Sequence, residues 1–145
     1  MKVVFDSSVW IAAIGSQTGF ASVSINRSFT AENVEIFISA QILDEITNNL
    51  QKKLDFQPQL AFNARRVVRD ICDFEIGLSG KDLKGIKIAD KNDAYVLALC
   101  YKVQADYLVT FDRKHLLPLK KYRQTEILEP KNFSKIFEDS SSQEN

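Results

Sequence analysis

Val3-Val4-Phe5-Asp6-Ser7-Ser8-Val9-Trp10-Ile11-Ala12-Ala13-Ile14 begins as a short apolar strand, breaks at one carboxylate and two hydroxyls, and resumes as an apolar helical turn. Ser7 or Ser8 can open that helix and Gly15 can end it. The strand-then-helix unit recurs. Val34-Glu35-Ile36-Phe37-Ile38 is β-branched and aromatic, which predicts a strand. Ser39 caps the next helix, where Ile42, Leu43, Ile46, Leu50 and Leu54 repeat at helical spacing. A further helix is predicted from about Phe20 to Phe29, and another over Leu60, Ala64, Val67, Val68 and Ile71, after Pro58. Gly77, Gly80 and Gly85 predict a loop. Asp93 to Val103 is a strongly apolar helix, Tyr107 to Thr110 a strand, Arg113 to Leu117 a short helix and Thr125 to Leu128 a last strand. Strands separated by helices predict an α/β fold whose mainly parallel sheet is covered on both faces.

The chain of 145 residues is long enough for one domain with its own core, expected over residues 1–137. Residues 138–145 are polar, lack a helical stripe and are expected to form a disordered tail. Lys+Arg and Asp+Glu both number 19, which excludes a protein whose binding is governed by overall positive charge but leaves a local basic face open. Cys72 and Cys100 have no metal-ligand spacing and read as thiols of a reducing compartment. His115 is the single histidine, so no mechanism needing two applies. The first apolar run stops at Asp6, and no stretch approaches the ~20 apolar residues of a membrane span. A cytoplasmic protein without a membrane partner is expected. No GxGxxG or Walker pattern supports a nucleotide cofactor.

In parallel sheets the ligand crevice lies outside the carboxyl ends of the strands. Asp6 follows the first strand and Asp112 closely follows the Tyr107–Thr110 strand. Glu45 stands on the helix fed by the second strand, and Asp93 opens the long apolar helix, with Asp90 one turn earlier. Each has a purely local reading: Asp6 and Asp112 as caps, Glu45 as a solvated helix residue, Asp93 as a complement to a helix dipole. The joint reading is that they converge on one rim. Clustered carboxylates repel and raise each other's pKa, and they ionise together only beside a cation. An oxygen-rich site of this kind suits Mg²⁺ or Mn²⁺, which activate water for phosphodiester displacement without an imidazole. His115 therefore reads as structural or surface, and Trp10 as core or dimer interface. Arg113 and Lys114, directly after Asp112, are the basic residues expected to meet the phosphates of a substrate; Arg65, Arg66 and Arg69 read as a solvated helix face that can also meet phosphates.

Val3-Val4-Phe5-Asp6-Ser7-Ser8-Val9-Trp10-Ile11 resembles the opening of the PIN-domain family, and Ile38-Ser39-Ala40-Gln41-Ile42-Leu43-Asp44-Glu45-Ile46 resembles its second motif. Asp90-Lys91-Asn92-Asp93-Ala94-Tyr95-Val96-Leu97-Ala98-Leu99 is similar to the third, and Ala105-Asp106-Tyr107-Leu108-Val109-Thr110-Phe111-Asp112-Arg113 to the fourth. Glu129-Pro130-Lys131-Asn132-Phe133 resembles the family's closing strand and helix. The likeness runs from Lys2 to about Phe137, and within the family it points to VapC-like ribonucleases, the toxins of toxin–antitoxin pairs.

The resemblance implies a three-layer α/β/α sandwich and a Mg²⁺- or Mn²⁺-dependent endoribonuclease. Asp6, Glu45, Asp93 and Asp112 would be the acidic quartet, with Asp90 an accessory carboxylate. Thr110 would orient Asp112 through its hydroxyl, and Ser7 or Ser8 would support Asp6. A small antitoxin and a second copy of the chain would be partners. Ser7-Ser8 replaces the family's frequent Thr-Asn, and Asn92 stands where many relatives carry a second acid; both departures bear on metal affinity. Two other readings share these features: a catalytically silent module that binds RNA or protein, and a structure-specific DNA nuclease. For the second, the chain is short of the helical elements that grip a DNA junction.

Overall fold

Val3, Val4 and Phe5 have no exposed surface, and neither do Ile36, Ile38, Leu108 or Val109. Successive strand residues point to opposite faces, so burial of neighbours in sequence requires that both faces be covered. The computed structural model describes residues 1–143, with side chains described to Glu138. Six strands are present: β1 (Lys2–Phe5), β2 (Glu35–Ser39), β3 (Phe74–Ile76), β4 (Tyr107–Val109), β5 (Lys121–Tyr122) and β6 (Thr125–Leu128). The helices are α1 (Ser7–Gly15), α2 (Phe20–Thr30), α3 (Ala40–Lys52), α4 (Pro58–Ile71), α5 (Lys91–Val103) and α6 (Pro130–Gln143). Short 3₁₀ turns lie at Gly80–Leu83 and Leu117–Leu119.

The strands form one sheet in the order β3-β2-β1-β4-β6-β5. Every pair is parallel except β5 with β6. β1 and β4 are therefore central neighbours, with Val3 opposite Tyr107 and Phe5 opposite Val109. Because they run the same way, the residues that follow them leave the sheet at the same edge. Phe5 packs edge-on against Trp10 and Phe133, anchoring α1 and α6 on one face of β1. Trp10 is 2 % exposed and its indole N–H donates to the Phe5 carbonyl at 3.1 Å. It belongs to the core, the first of the two settings its apolar run predicts.

Three elements differ from expectation. β3 and β5 were not predicted; with three and two residues they are too short to carry a period. The helix expected from Arg113 to Leu117 is instead a turn. Asp112 gathers its backbone donors, with Leu117 N–H bonding the Asp112 carbonyl at 2.9 Å, and Pro118 has no N–H with which to continue a helix. The helix α6 runs to Gln143, past position 137 where the domain was expected to end; residues 144 and 145 of the expected tail lie outside the described residues. Among the described residues no helix is long and apolar enough to cross a membrane.

Candidate active site

The site starts where β1 stops. Asp6 N–H bonds the Val109 carbonyl at 3.1 Å, the last ladder contact to β4, and its side chain then caps α1. Oδ1 accepts from Ser8 N–H at 3.0 Å and from the Ser8 hydroxyl; Oδ2 accepts from the Thr110 hydroxyl. The fully buried Thr110 hydroxyl also accepts from Asp112 N–H at 3.0 Å, and the Ser8 hydroxyl accepts from Phe111 N–H at 3.2 Å. Two hydroxyls thus tie the ends of β1 and β4 together. Thr110 holds the backbone of Asp112 and the carboxylate of Asp6, whereas the resemblance had it orienting Asp112 alone. Of the two serines, Ser8 supports Asp6, and Ser7 hydrogen-bonds Glu45 from α3 instead.

The other acids are set by helix starts and turns. Asp90 caps α5, accepting from Asn92 N–H at 2.8 Å and Asp93 N–H at 3.1 Å, which puts Asp93 in the first helical turn. Asp112 Oδ1 accepts from Lys114 N–H at 3.0 Å and His115 N–H at 3.1 Å. Capping and clustering therefore coexist, because the same local bonds that cap also aim each carboxylate at the rim.

Burial pushes Asp6 up to about 6, reinforced by the charge of Glu45 and opposed by its hydrogen bonds from Ser8 and Thr110. Asp93 is likewise pushed up to about 6, first by burial and then by Asp112 and Asp90. Glu45 is raised by burial and by Asp90 and Asp112, against its bond from Ser7 and the charge of Lys53. Among the described residues no Lys or Arg forms an ion pair with Asp6, Glu45, Asp93 or Asp112. Partly buried carboxylates that raise one another, without a close side-chain ammonium or guanidinium, fit a hard divalent cation.

These shifts set how metal-free stability depends on pH. A carboxylate raised in the folded state holds its proton where the unfolded chain has lost it, so stability falls as pH rises from about 4 to about 6. For Asp6, lifted from 3.8 to about 6, the loss is roughly 2–3 kcal/mol. Urea unfolding in EDTA at pH 4.5 and pH 7 is expected to show this decline, and Asp6→Asn to flatten it. Equal stability at both pH values would contradict it.

His115, expected to be structural or surface, stands beside the acids. Its Nδ1 lies 3.5 Å from Asp93 Oδ2 and 3.7 Å from Asp112 Oδ2. One donor atom from each of the three lies within 4.8 Å of the others. The signal available in the sequence was the spacing Asp112-x-x-His115, which returns the fourth residue of a tight turn toward the first. Arg113 is exposed and pairs with Glu129 at 3.1 Å; Lys114 is exposed. Arg65 pairs with Asp44 at 2.7 Å, leaving Arg66 and Arg69 as the exposed members of the basic face.

A parallel sheet with acids gathered beyond its central strands is the arrangement of the PIN domain, whose family profile matches residues 2–114. The chain belongs to the PIN-domain family, whose members are typically nucleases. Its fold is similar to VapC toxins of VapBC toxin–antitoxin systems. A chain of VapBC2 from Rickettsia felis, a complex bound to a DNA fragment from its promoter, superposes with a TM-score of 0.67 at 18 % identity, covering 89 % of this chain and 98 % of that one. VapBC-1 from nontypeable Haemophilus influenzae gives 0.64 at 11 % identity, covering 90 % and 99 %. VapC20 from Mycobacterium tuberculosis, a sarcin–ricin loop cleaving toxin, gives 0.60 at 14 % identity, covering 86 % and 98 %. No curated protein matches the sequence.

Proposed function

We propose that the chain is a divalent-metal-dependent endoribonuclease that cuts internal phosphodiester bonds of single-stranded or loop RNA, and that it is the toxin of a toxin–antitoxin pair. The observation that carries this reading is geometric: Asp93 and Asp112, from separate elements, bring donor atoms within 4.8 Å of one another, beyond the end of the central strands where Asp6 sits. Asp6, Glu45, Asp93 and Asp112 would hold a Mg²⁺ or Mn²⁺ ion, with Asp90 close behind. When bound, such an ion lowers the pKa of water and offsets charge on the phosphodiester oxygens. The chain's own groups do the rest. Ser8 and Thr110 fix Asp6 from two sides, and Ser7 restrains Glu45. A rim carboxylate, Asp93 or Glu45, accepts the proton of the attacking water. Arg113 and Lys114 meet phosphates flanking the cut. Loop RNA is favoured because an unpaired backbone can enter a crevice that a stiff duplex cannot; the M. tuberculosis relative with this fold cleaves an RNA loop.

The test is incubation with structured RNA in Mn²⁺, Mg²⁺ or EDTA, alongside a flap-DNA substrate. Metal-dependent internal cleavage of the RNA is expected; cleavage undiminished in excess EDTA, or preference for the flap DNA, would overturn the reading. Arg113→Ala with Lys114→Ala is expected to weaken RNA binding across sequences and to lower the slope of log K against log salt by roughly 1–1.5. Filter binding at several salt concentrations measures it, and an unchanged slope would remove these two side chains from the RNA path.

The proposed partners are a small antitoxin and a second copy of the chain. A groove of about 520 Å³ lined by Ala13, Ile14, Ile25, Val67, Val68 and Ile71 supports an apolar partner segment, and Phe20 and Phe29 are exposed on α2. Light scattering at tens of micromolar is expected to give a dimer, and a monomer would count against self-association.

A further inference from the structure

We propose that His115 supplies a nitrogen ligand to this site and turns its selectivity from Mg²⁺ toward first-row transition dications that take imidazole readily, such as Co²⁺ and Ni²⁺. The inference rests on reading the carboxylate cluster as a metal site and goes beyond it by adding a donor of a different chemical kind. The separations of 3.5 Å and 3.7 Å from His115 Nδ1 to Asp93 Oδ2 and Asp112 Oδ2 are too long for hydrogen bonds. They are close to the spacing of neighbouring donors around one ion, which for bonds of about 2.0–2.2 Å is roughly 3–3.5 Å.

The local chain geometry holds the imidazole there. Asp112 Oδ1 is engaged by the N–H groups of Lys114 and His115, which closes the turn and leaves Oδ2 facing Nδ1. Asp93 comes from α5, a separate element, and presents Oδ2 to the same nitrogen. The imidazole forms no hydrogen bond among the described residues; its contacts there are the two acids, as an ion pair when protonated and as a free nitrogen donor when neutral. Mg²⁺ favours an all-oxygen shell and keeps several waters. Imidazole suits the later divalent ions, whose affinity for such a donor rises along the first row from its lowest value at Mn²⁺. Two carboxylate oxygens and one imidazole nitrogen at this spacing therefore discriminate by ligand chemistry, at a site where four carboxylates alone would take either ion.

Pulsed EPR of the full chain loaded with Mn²⁺ as a probe tests for the ligand, and displacement of that Mn²⁺ by Co²⁺ or by Mg²⁺, followed by EPR, tests the selectivity. The wild type is expected to show ¹⁴N modulation from a directly bound nitrogen. His115→Ala is expected to lose that signal and to weaken Co²⁺ about tenfold or more, a size typical of losing one metal-site partner, while Mg²⁺ changes by less than about twofold. His115→Gln, which keeps a polar side chain, is expected to retain Mg²⁺ binding without restoring the nitrogen signal. Melting in EDTA reports whether each variant folds, and the wild-type spectrum stands even if neither does. Bound Mn²⁺ without nitrogen coupling, or equal Co²⁺ affinity in wild type and variants, overturns the proposal and reduces His115 to an ion-pair partner of the acids. An RNA cleavage assay on the same samples separates the two readings. Nitrogen-coupled Mn²⁺ without cleavage refutes the ribonuclease and leaves the ligand; metal-dependent cleavage without nitrogen coupling refutes only the ligand. Failure to bind Mn²⁺ at all overturns both.

Discussion

Asp93→Asn is expected to abolish metal-dependent RNA cleavage, by roughly 10²–10³-fold or more if one charge contact to the reacting centre is lost, while leaving the metal-free protein more stable than the wild type. The substitution keeps size and an acceptor oxygen and removes one negative charge from beside Asp112 and Asp90, the acids that help lift Asp93 to about 6. Discounted for partial exposure, relief of that repulsion is worth on the order of 1 kcal/mol, or about 2–4 °C in melting temperature for a chain of this size. The size of the gain depends on pH. Below about 6 the wild-type Asp93 is already protonated in the folded state, so the gain shrinks as pH falls toward 4. In millimolar Mg²⁺ or Mn²⁺ the order reverses, because the wild type gains stability from bound ion that the variant largely forgoes. Melting both proteins in EDTA and in metal, at pH 5 and 7.5, measures all three effects. A variant that cuts at the wild-type rate, or whose melting shift ignores metal, removes Asp93 from the site.

Thr110→Val tests the buried joint between β1 and β4. Valine matches threonine in shape and deletes one hydroxyl, which leaves Asp6 Oδ2 without its donor and Asp112 N–H without its acceptor. An unsatisfied buried group costs about 1–3 kcal/mol, so melting is expected to fall by roughly 3–10 °C. Loss of the donor raises Asp6 further, and destabilisation in EDTA is therefore larger at pH 8, where the carboxylate must ionise, than at pH 5, where the folded state keeps it neutral. Cleavage is expected to drop about 10²-fold because both acids lose their fixed positions. Thr110→Ser, which keeps the hydroxyl, is expected to recover most of both properties. Wild-type melting and cleavage in the valine variant would show that the joint is dispensable.

The sheet and the places where acids leave it were legible because parallel strands buried on both faces write themselves as apolar runs. Val3-Val4-Phe5 ends at Asp6, and Tyr107-Leu108-Val109 ends just before Thr110. Edge elements left no such mark. β3 presents Phe74 at 48 % exposure, and β5 is two residues closing back on β6. At the site, the choice between cap and cluster member could not be made from sequence, because for Asp6, Asp90 and Asp112 the two roles use the same carboxylate. His115 was legible only as the spacing Asp112-x-x-His115, for a related reason. Its position depends on a side-chain oxygen of Asp112 collecting two amides, a detail of turn conformation that composition and periodicity do not encode. The division of labour between Ser7 and Ser8 is equally a matter of which way consecutive residues of a first helical turn face.

The hydroxyl of Thr110 reaches an acid 104 positions earlier in the chain. On a ribosome adding about 5–20 residues per second, Asp6 waits roughly 5–20 s for the group that seats it. During that interval the growing chain already carries Asp6, Glu45 and Asp93, yet β1 has no β4 beside it and the rim has neither Asp112 nor His115. A fragment released by premature termination before residue 110 therefore lacks Thr110, Asp112 and His115 of the proposed site. The order of the strands makes completion of most of the polypeptide a precondition for the chemistry, a delay built into synthesis itself.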